Sequence, residues 1–262
     1  MFAKTMALSF AAHRDLRIFE TNDYSYARAE TLAPIIFDET ADVAREYPIV
    51  FPNNENNLPC ALLGLEAGHN AYVDASGQWQ ATYVPAHIRR YPLMFGRTND
   101  PNAASNSFVI LFDPEAPHFR ESGGHAVFES SGQLSDHMRR RVALLELIQN
   151  KVEATRAMVH ALDAAGVLAE KVIRIKTSNE PEHRIQGLRV VDEDALKRLP
   201  IDSLADLVRS GALALAYGQL LSWANFRQGP LGGKYPHLME RPQASDQSFL
   251  FENESIDFSK LS

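Results

Sequence analysis

The sequence predicts an α+β protein: a strand-rich N-terminal half, one long central helix, a second hairpin and C-terminal helices. Three observations carry this expectation. Short aromatic and β-branched runs, punctuated by proline, asparagine and glycine, fill the chain before residue 130. A helical period then holds from Leu134 to Leu162. Strand and helix signals come in blocks and do not alternate, which favours α+β over a parallel βα arrangement.

The elements follow in order. Tyr47–Phe51 is an aromatic and β-branched run stopped by Pro52 and an asparagine-rich stretch, and Ala61–Leu65 is a second apolar run. Asn70–Asp74 and Gln78–Val84 flank Ala75, Ser76 and Gly77, which predicts a β-hairpin with Trp79 packed on one face. Phe108–Phe112 is a strand closed by Asp113 and Pro114, whereas Gly123–Gly124 and Ser130–Gly132 mark loops.

In the central helix, Leu134, Met138, Val142, Leu145, Ile148, Val152, Val159 and Leu162 recur at helical spacing, and Gly166 suits the position beyond its end. Lys171–Lys176 and Arg184–Val191, separated by a turn at Asn179–Pro181, predict the second hairpin. Short helices are expected over Asp194–Leu199 and Leu204–Ser210, with Ser203 and Asp206 spaced like a capping box, and a longer helix over Ala212–Phe226 after Gly211. The expected organisation is one domain over 1–240, with a subdivision conceivable near 130, and a polar tail over 241–262.

Composition bounds the function. With 45% hydrophobic and 23% charged residues, the 262-residue chain is that of a packed globular protein. A net charge of −7 argues against nucleic acid as a partner. No run approaches the roughly 20 apolar residues of a membrane-crossing helix. Cys60 is the only cysteine, so no intramolecular disulfide or cysteine-built metal site is available to one chain, and the thiol reads as buried and inert. The apolar stretch Ala7–Ala12 is cut short by His13, Arg14 and Asp15, so a cytoplasmic location is expected.

Familiar catalytic motifs are missing. Gly229, Gly232, Gly233 and Lys234 suggest a phosphate loop, but Gln228 and Tyr235 occupy positions that the motif reserves for glycine and a hydroxyl, so a turn is expected there. His118 and His125, near Asp113, Glu115 and Glu129, are the densest set of metal-ligand types, and they are weak candidates for a metal-dependent site. His69 and His87 flank the first hairpin and are expected at the surface. Arg89–Arg90 and Arg139–Arg141 read first as solvated or ion-paired clusters. No cofactor is expected.

The richest candidate binding segment is Tyr83, Val84, Pro85, Tyr91, Pro92 and Phe95 with Arg89 and Arg90 embedded, a combination suited to a carboxylate-bearing ligand or a peptide and equally to packing at a strand edge with paired arginines. Arg89, Arg90, Tyr91 and Trp79 are therefore the candidate ligand- or partner-binding residues. Tyr47-Pro48-Ile49-Val50-Phe51, Asn70, Asp74, Gly77, Trp79, Val84-Pro85-Ala86 and Arg89-Arg90-Tyr91-Pro92 together resemble the bacterial SapC family. The resemblance continues through Gly187-Leu188, Val191-Asp192 and Gln219 to Ser222. Leu93 departs from it, standing where phenylalanine often follows the second Tyr-Pro.

The resemblance supplies no catalytic residues. It implies a binding or accessory protein linked to cell-surface or nutrient-uptake systems, because genes of similar proteins often lie near those for TonB-dependent receptors and flavin-dependent halogenases. A protein partner, a small ligand or a second copy of the chain are the expected associations. The alternatives are an enzyme with an unrecognised, metal-dependent site and a surface-layer structural protein.

Overall fold

The computed structural model describes residues 1–97, 108–120, 123–177 and 180–234. The fold is α+β, with the described strands in three antiparallel sheets. The largest has the order β10 (Leu168–Thr177), β11 (Glu180–Val191), β4 (Ile49–Pro52), β5 (Cys60–Leu62) and β3 (Leu32–Pro34). A second joins β1 (Met6–Ala7), β7 (Phe108–Phe112) and β6 (Leu93–Arg97), and a third joins β8 (Phe119–Arg120), β2 (Arg17–Ile18) and β9 (His125–Ala126).

Helix α4 (Asp136–Ala164) follows the strand-rich half, preceded by the short helices α1 (Phe10–His13), α2 (Thr40–Glu46) and α3 (Ala86–Arg89). Its start is set by Ser135, whose hydroxyl accepts from the Met138 amide at 3.3 Å and donates to the Ala126 carbonyl at 2.6 Å. Its end is followed by Gly166 at φ +68°, as the sequence predicts. The buried residues Met138 and Leu145 join one core with Ile18, Leu93, Phe112 and Val127, and Val142 between them is buried as well. Val159 and Leu162 join another with Phe51, Val191, Leu207 and Leu215. One helix thus fastens the small sheets to the large one.

The C-terminal helices are α5 (Glu193–Lys197), α6 (Ile201–Ser210), α7 (Ala212–Ser222), α8 (Asn225–Gln228) and α9 (Pro230–Lys234). Gln219 and Ser222 project from α7 into the large sheet. The Gln219 carboxamide accepts from the Val191 amide at 2.9 Å and donates to the Ile49 carbonyl at 3.3 Å, and the Ser222 hydroxyl accepts from the Ile49 amide at 2.8 Å. These bonds satisfy buried backbone groups of β4 and β11. All four residues of β4 are buried, with Ile49 and Val50 in a third core beside Tyr47, Tyr72 and Leu63, and Phe51 in the α4–α7 core.

Several local expectations need correction. The hairpin over Asn70–Val84 forms only at its tip, where Val73 bridges Trp79, the Asp74 amide donates to the Gln78 carbonyl at 3.1 Å and the Gln80 amide to the Tyr72 carbonyl at 2.8 Å. Side chains hold the rest of its backbone: Asp74 Oδ1 accepts from the Ser76 and Gln78 amides, and Asn70 Oδ1 accepts from the Tyr72 amide. Ser203 caps nothing, because α6 begins two residues earlier behind Pro200, whose fixed φ suits the approach to a helix. The cap that does form is Asp192, which accepts from the Ala195 amide at 2.9 Å ahead of α5.

The single helix expected over Ala212–Phe226 ends at Ser222 and resumes as α8, and the glycine stretch expected as a turn is α9. Asn179 of the expected second turn and the tail over 241–262 lie outside the described residues.

Candidate functional site

A cavity of about 650 Å³ opens between the strand-rich half and the start of α4. Its wall on α4 consists of His137, Arg140, Arg141 and Leu144, the i, i+3, i+4, i+7 spacing of one helical face. This face is offset from the stripe of Met138, Val142 and Leu145, so the same two turns serve core and cavity. The opposing segments contribute Glu20, Tyr24, Tyr26, Arg89, Tyr91, His118 and His125.

Aromatic rings organise the wall. Tyr26 and Tyr91 stack at 4.3 Å between centroids, and His118 meets both edge-on at 5.4 and 5.3 Å. The Tyr91 hydroxyl donates to the buried Asp113 carboxylate at 3.2 Å, which fixes the ring. On the α4 side, His125 and His137 stack at 4.1 Å with an interplanar angle of 11°. The Ser135 bridge between β9 and α4 sets this pair, since it ties the residue after His125 to the turn that carries His137.

Gly124 completes the approach. Its φ is +63°, and a Cβ there would sit 2.6 Å from the Ile18 carbonyl and against the Phe19 ring. Arg17 donates to the carbonyls of Gly123 and Gly124 at 2.5 and 2.8 Å and anchors the same loop.

The charges are ordered. Arg141 donates to Glu20 at 2.9 Å and to the Tyr91 carbonyl at 3.4 Å, while Glu20 also lies 3.0 Å from His137 Nε2. Arg89 donates to the Val84 carbonyl at 2.7 Å and to the Tyr83 hydroxyl at 3.1 Å. That hydroxyl in turn donates to the buried Glu39 at 2.8 Å, so a buried carboxylate positions Arg89 through Tyr83. Arg140 makes one long bond from Nε to the Asp136 carbonyl at 3.4 Å and leaves both terminal nitrogens without a protein partner among the described residues. Arg141 is engaged by Glu20, so the guanidinium nitrogens on the wall without a protein partner among the described residues are the two terminal ones of Arg140 and Nη1 of Arg89.

Burial pushes His118 down to about 4, assisted by Arg141. His137 is also lowered, first by burial and then by the neighbouring His125. Burial raises Tyr26 and Tyr91 above their ordinary value. These rings therefore meet a ligand near neutral pH as uncharged phenols and, at His118, as an uncharged imidazole.

The structure brings Arg89, Tyr91, His118 and His125 into this one cavity. Trp79 stands behind it: its indole donates to the Tyr47 hydroxyl at 2.7 Å and its ring meets Tyr24 at 5.4 Å. Arg90 points elsewhere, its guanidinium 5.4 Å from the Phe2 ring centre, and burial lowers its pKa. His69 and His87 do not line the cavity, and burial takes His87 down to about 3. Cys60 is buried, with its thiol pushed up to about 12.

Glu20, His137, Arg140 and Arg141 were not legible as site residues. All three arginines fit the solvated or ion-paired reading, Arg139 paired to Glu129 and Asp136, Arg141 to Glu20 and Arg140 exposed; Arg140 and Arg141 in addition line the cavity. The signal that could have found them is the 137/140/141/144 spacing beside the core stripe. Among the described residues no three His, Cys, Asp or Glu side chains are grouped to hold a metal ion.

The site and fold define an α+β protein with a cationic, ring-lined cavity at the junction of its strand-rich half and its long helix. A family model described as SapC matches residues 8–228, and the chain belongs to the SapC family. No match is found among curated proteins or among solved structures. Among the described residues no helix is long and apolar enough to cross a membrane.

Proposed function

We propose that the chain is a non-enzymatic binding protein and that its ligand, a small organic anion, occupies the cavity walled by α4 and the Tyr26–Tyr91–His118 cluster. The observation that carries this reading is the convergence of Arg89, Arg140 and Arg141 on one ring-lined space in a chain whose net charge is −7. Positive charge collected in a concave site against an acidic background favours an anion there. A cavity of about 650 Å³ is in the ordinary range for small-molecule sites. The balanced Glu20–Arg141 pair and the Glu39–Tyr83–Arg89 relay hold the wall in place before a ligand arrives, which reduces the ordering cost of binding.

The test is a titration of the full chain with a library of small organic anions, followed through the ring proton resonances of His125 and His137. A binder is expected to shift both. The reading fails when no library member moves either ring at millimolar concentration, or when a saturable binder leaves both unmoved.

A further inference from the structure

The cavity offers more than positive charge, and the character of its wall limits what fills it. Arg140 presents an unengaged planar fork, the geometry that matches a carboxylate through two parallel hydrogen bonds. Arg141 does not add to this, because Glu20 and the Tyr91 carbonyl already take its terminal nitrogens. The Glu20 carboxylate on the same wall opposes a multiply charged anion. An inorganic anion would also fill only a small part of about 650 Å³. The remaining space is bordered by the half-buried rings of Tyr24 and Tyr26, with the buried Tyr91 stacked on Tyr26 and His118 almost fully buried at the edge of that pair. Ring faces of this kind favour a flat, polarisable partner.

From these observations, and resting on the binding reading above, we propose that the ligand is a singly charged carboxylate carried on a flat ring. Its carboxylate sits on the Arg140 fork and its ring lies against the Tyr26–Tyr91–His118 cluster. Arg89, whose Nη1 has no protein partner among the described residues, supplies a second cationic donor. The site thereby selects for charge and for shape through different residues.

Calorimetric titration of the full chain at pH 7 separates the two. The probes are 2-naphthoate and benzoate (flat ring with carboxylate), cyclohexanecarboxylate (puckered ring, same charge), acetate and inorganic phosphate (charge without ring) and 2-naphthol (ring without charge). 2-Naphthoate is expected to bind tightest, with cyclohexanecarboxylate about tenfold weaker than benzoate, and acetate, phosphate and 2-naphthol weaker still. Arg140→Ala is expected to weaken 2-naphthoate about tenfold, with partial recovery in Arg140→Lys, which restores the charge without the fork. Arg140 is exposed, so both variants should keep the wild-type circular dichroism spectrum.

Equal affinity for benzoate and cyclohexanecarboxylate overturns the flat ring. Tightest binding of phosphate or acetate, lost in Arg140→Ala, overturns the ligand class and leaves the anion-binding reading standing. Saturable naphthoate binding that is indifferent to Arg140→Ala and to Tyr26→Leu places the ligand outside this cavity and overturns both. Absence of saturable binding by every probe overturns the ligand class, and the anion library then decides the broader reading separately.

Discussion

Lowering the pH from 7 to 5 should destabilise the protein through His118, and replacing that residue with phenylalanine should remove its share. His118 is 3% exposed, has an Nδ1 that is buried without a partner, and touches Tyr26 and Tyr91 edge-on. Burial, then Arg141, lowers it from 6.5 to about 4, against the weaker opposing pull of Glu20 and Asp23. Between those values the unfolded chain takes up a proton that the native imidazole refuses. Stability contributed by the neutral ring is therefore fully present above pH 6.5 and is lost as pH falls toward 4. One pKa unit corresponds to about 1.4 kcal/mol, so the loss from this residue between pH 7 and pH 5 is about 2 kcal/mol. Urea unfolding followed by tryptophan fluorescence at the two pH values measures it directly. His87, lowered to about 3, adds a similar slope of its own. The informative quantity is thus the difference between wild type and His118→Phe: the variant should lose about 2 kcal/mol less on acidification. An identical loss in both proteins would refute the buried, neutral state assigned to His118.

Three further outcomes test the scaffold around the cavity. Glu39→Ala should cost about 3 kcal/mol in urea unfolding, since the buried carboxylate accepts from the Tyr83 hydroxyl and from the Ala86 and Ile36 amides; a cost below about 1 kcal/mol would show that water replaces it. Gly124→Ala should destabilise by about 1–3 kcal/mol because its backbone is left-handed and its space is occupied, and it should displace the His125 ring resonances relative to His137. Ser135→Ala should cost about 1 kcal/mol and raise hydrogen exchange in the first turn of α4, with protection unchanged beyond Leu145.

The parts of the fold that could be read from sequence are those whose pattern is local. Leu134–Leu162 announces α4 because a long amphipathic period has few alternative explanations, and Phe108–Phe112 announces β7 by composition and its Asp-Pro stop. Strands β1, β2, β8 and β9 are two residues long and exist only because distant segments pair, as Arg17 does with Arg120 and Ala126. No window of sequence contains that information. The Asn70–Val84 segment is a partial case: alternation and turn residues suggest a hairpin, and its tip pairs from Tyr72 to Gln80, while Asn70 and Asp74 hold other backbone amides through their side chains.

The site divides in the same way. Arg89 and Tyr91 stood out because arginine and aromatic residues are concentrated within a few positions. His118 and His125 stood out as ligand types, and the structure gives them neighbours of a different kind: tyrosine rings for one and a stacked histidine for the other. Glu20 and Arg141 are 121 residues apart, and their pairing follows from the placement of α4 against β2 and β9, which no spacing rule encodes.

Most residues that carry the family resemblance hold the scaffold. Gln219 and Ser222 pin α7 to β4 and β11, Trp79 donates to Tyr47, and Asn70 and Asp74 close their own turns. Arg89 and Tyr91 are the exceptions that reach the cavity. Helix α4 explains how the two demands coexist. Its first turns bury Met138, Val142 and Leu145 on one face and turn His137, Arg140, Arg141 and Leu144 toward the cavity on another. Packing constrains the first set through volume, and His125 and Glu20 engage His137 and Arg141 in the second, which leaves Arg140 and Leu144 to answer mainly to the ligand. Exchanging Arg140 and Leu144 should therefore change what binds while leaving the urea midpoint near that of wild type. Exchanging Val142 or Leu145 should do the reverse, and a protein in which both pairs moved stability and binding together would show that the two faces are not separable.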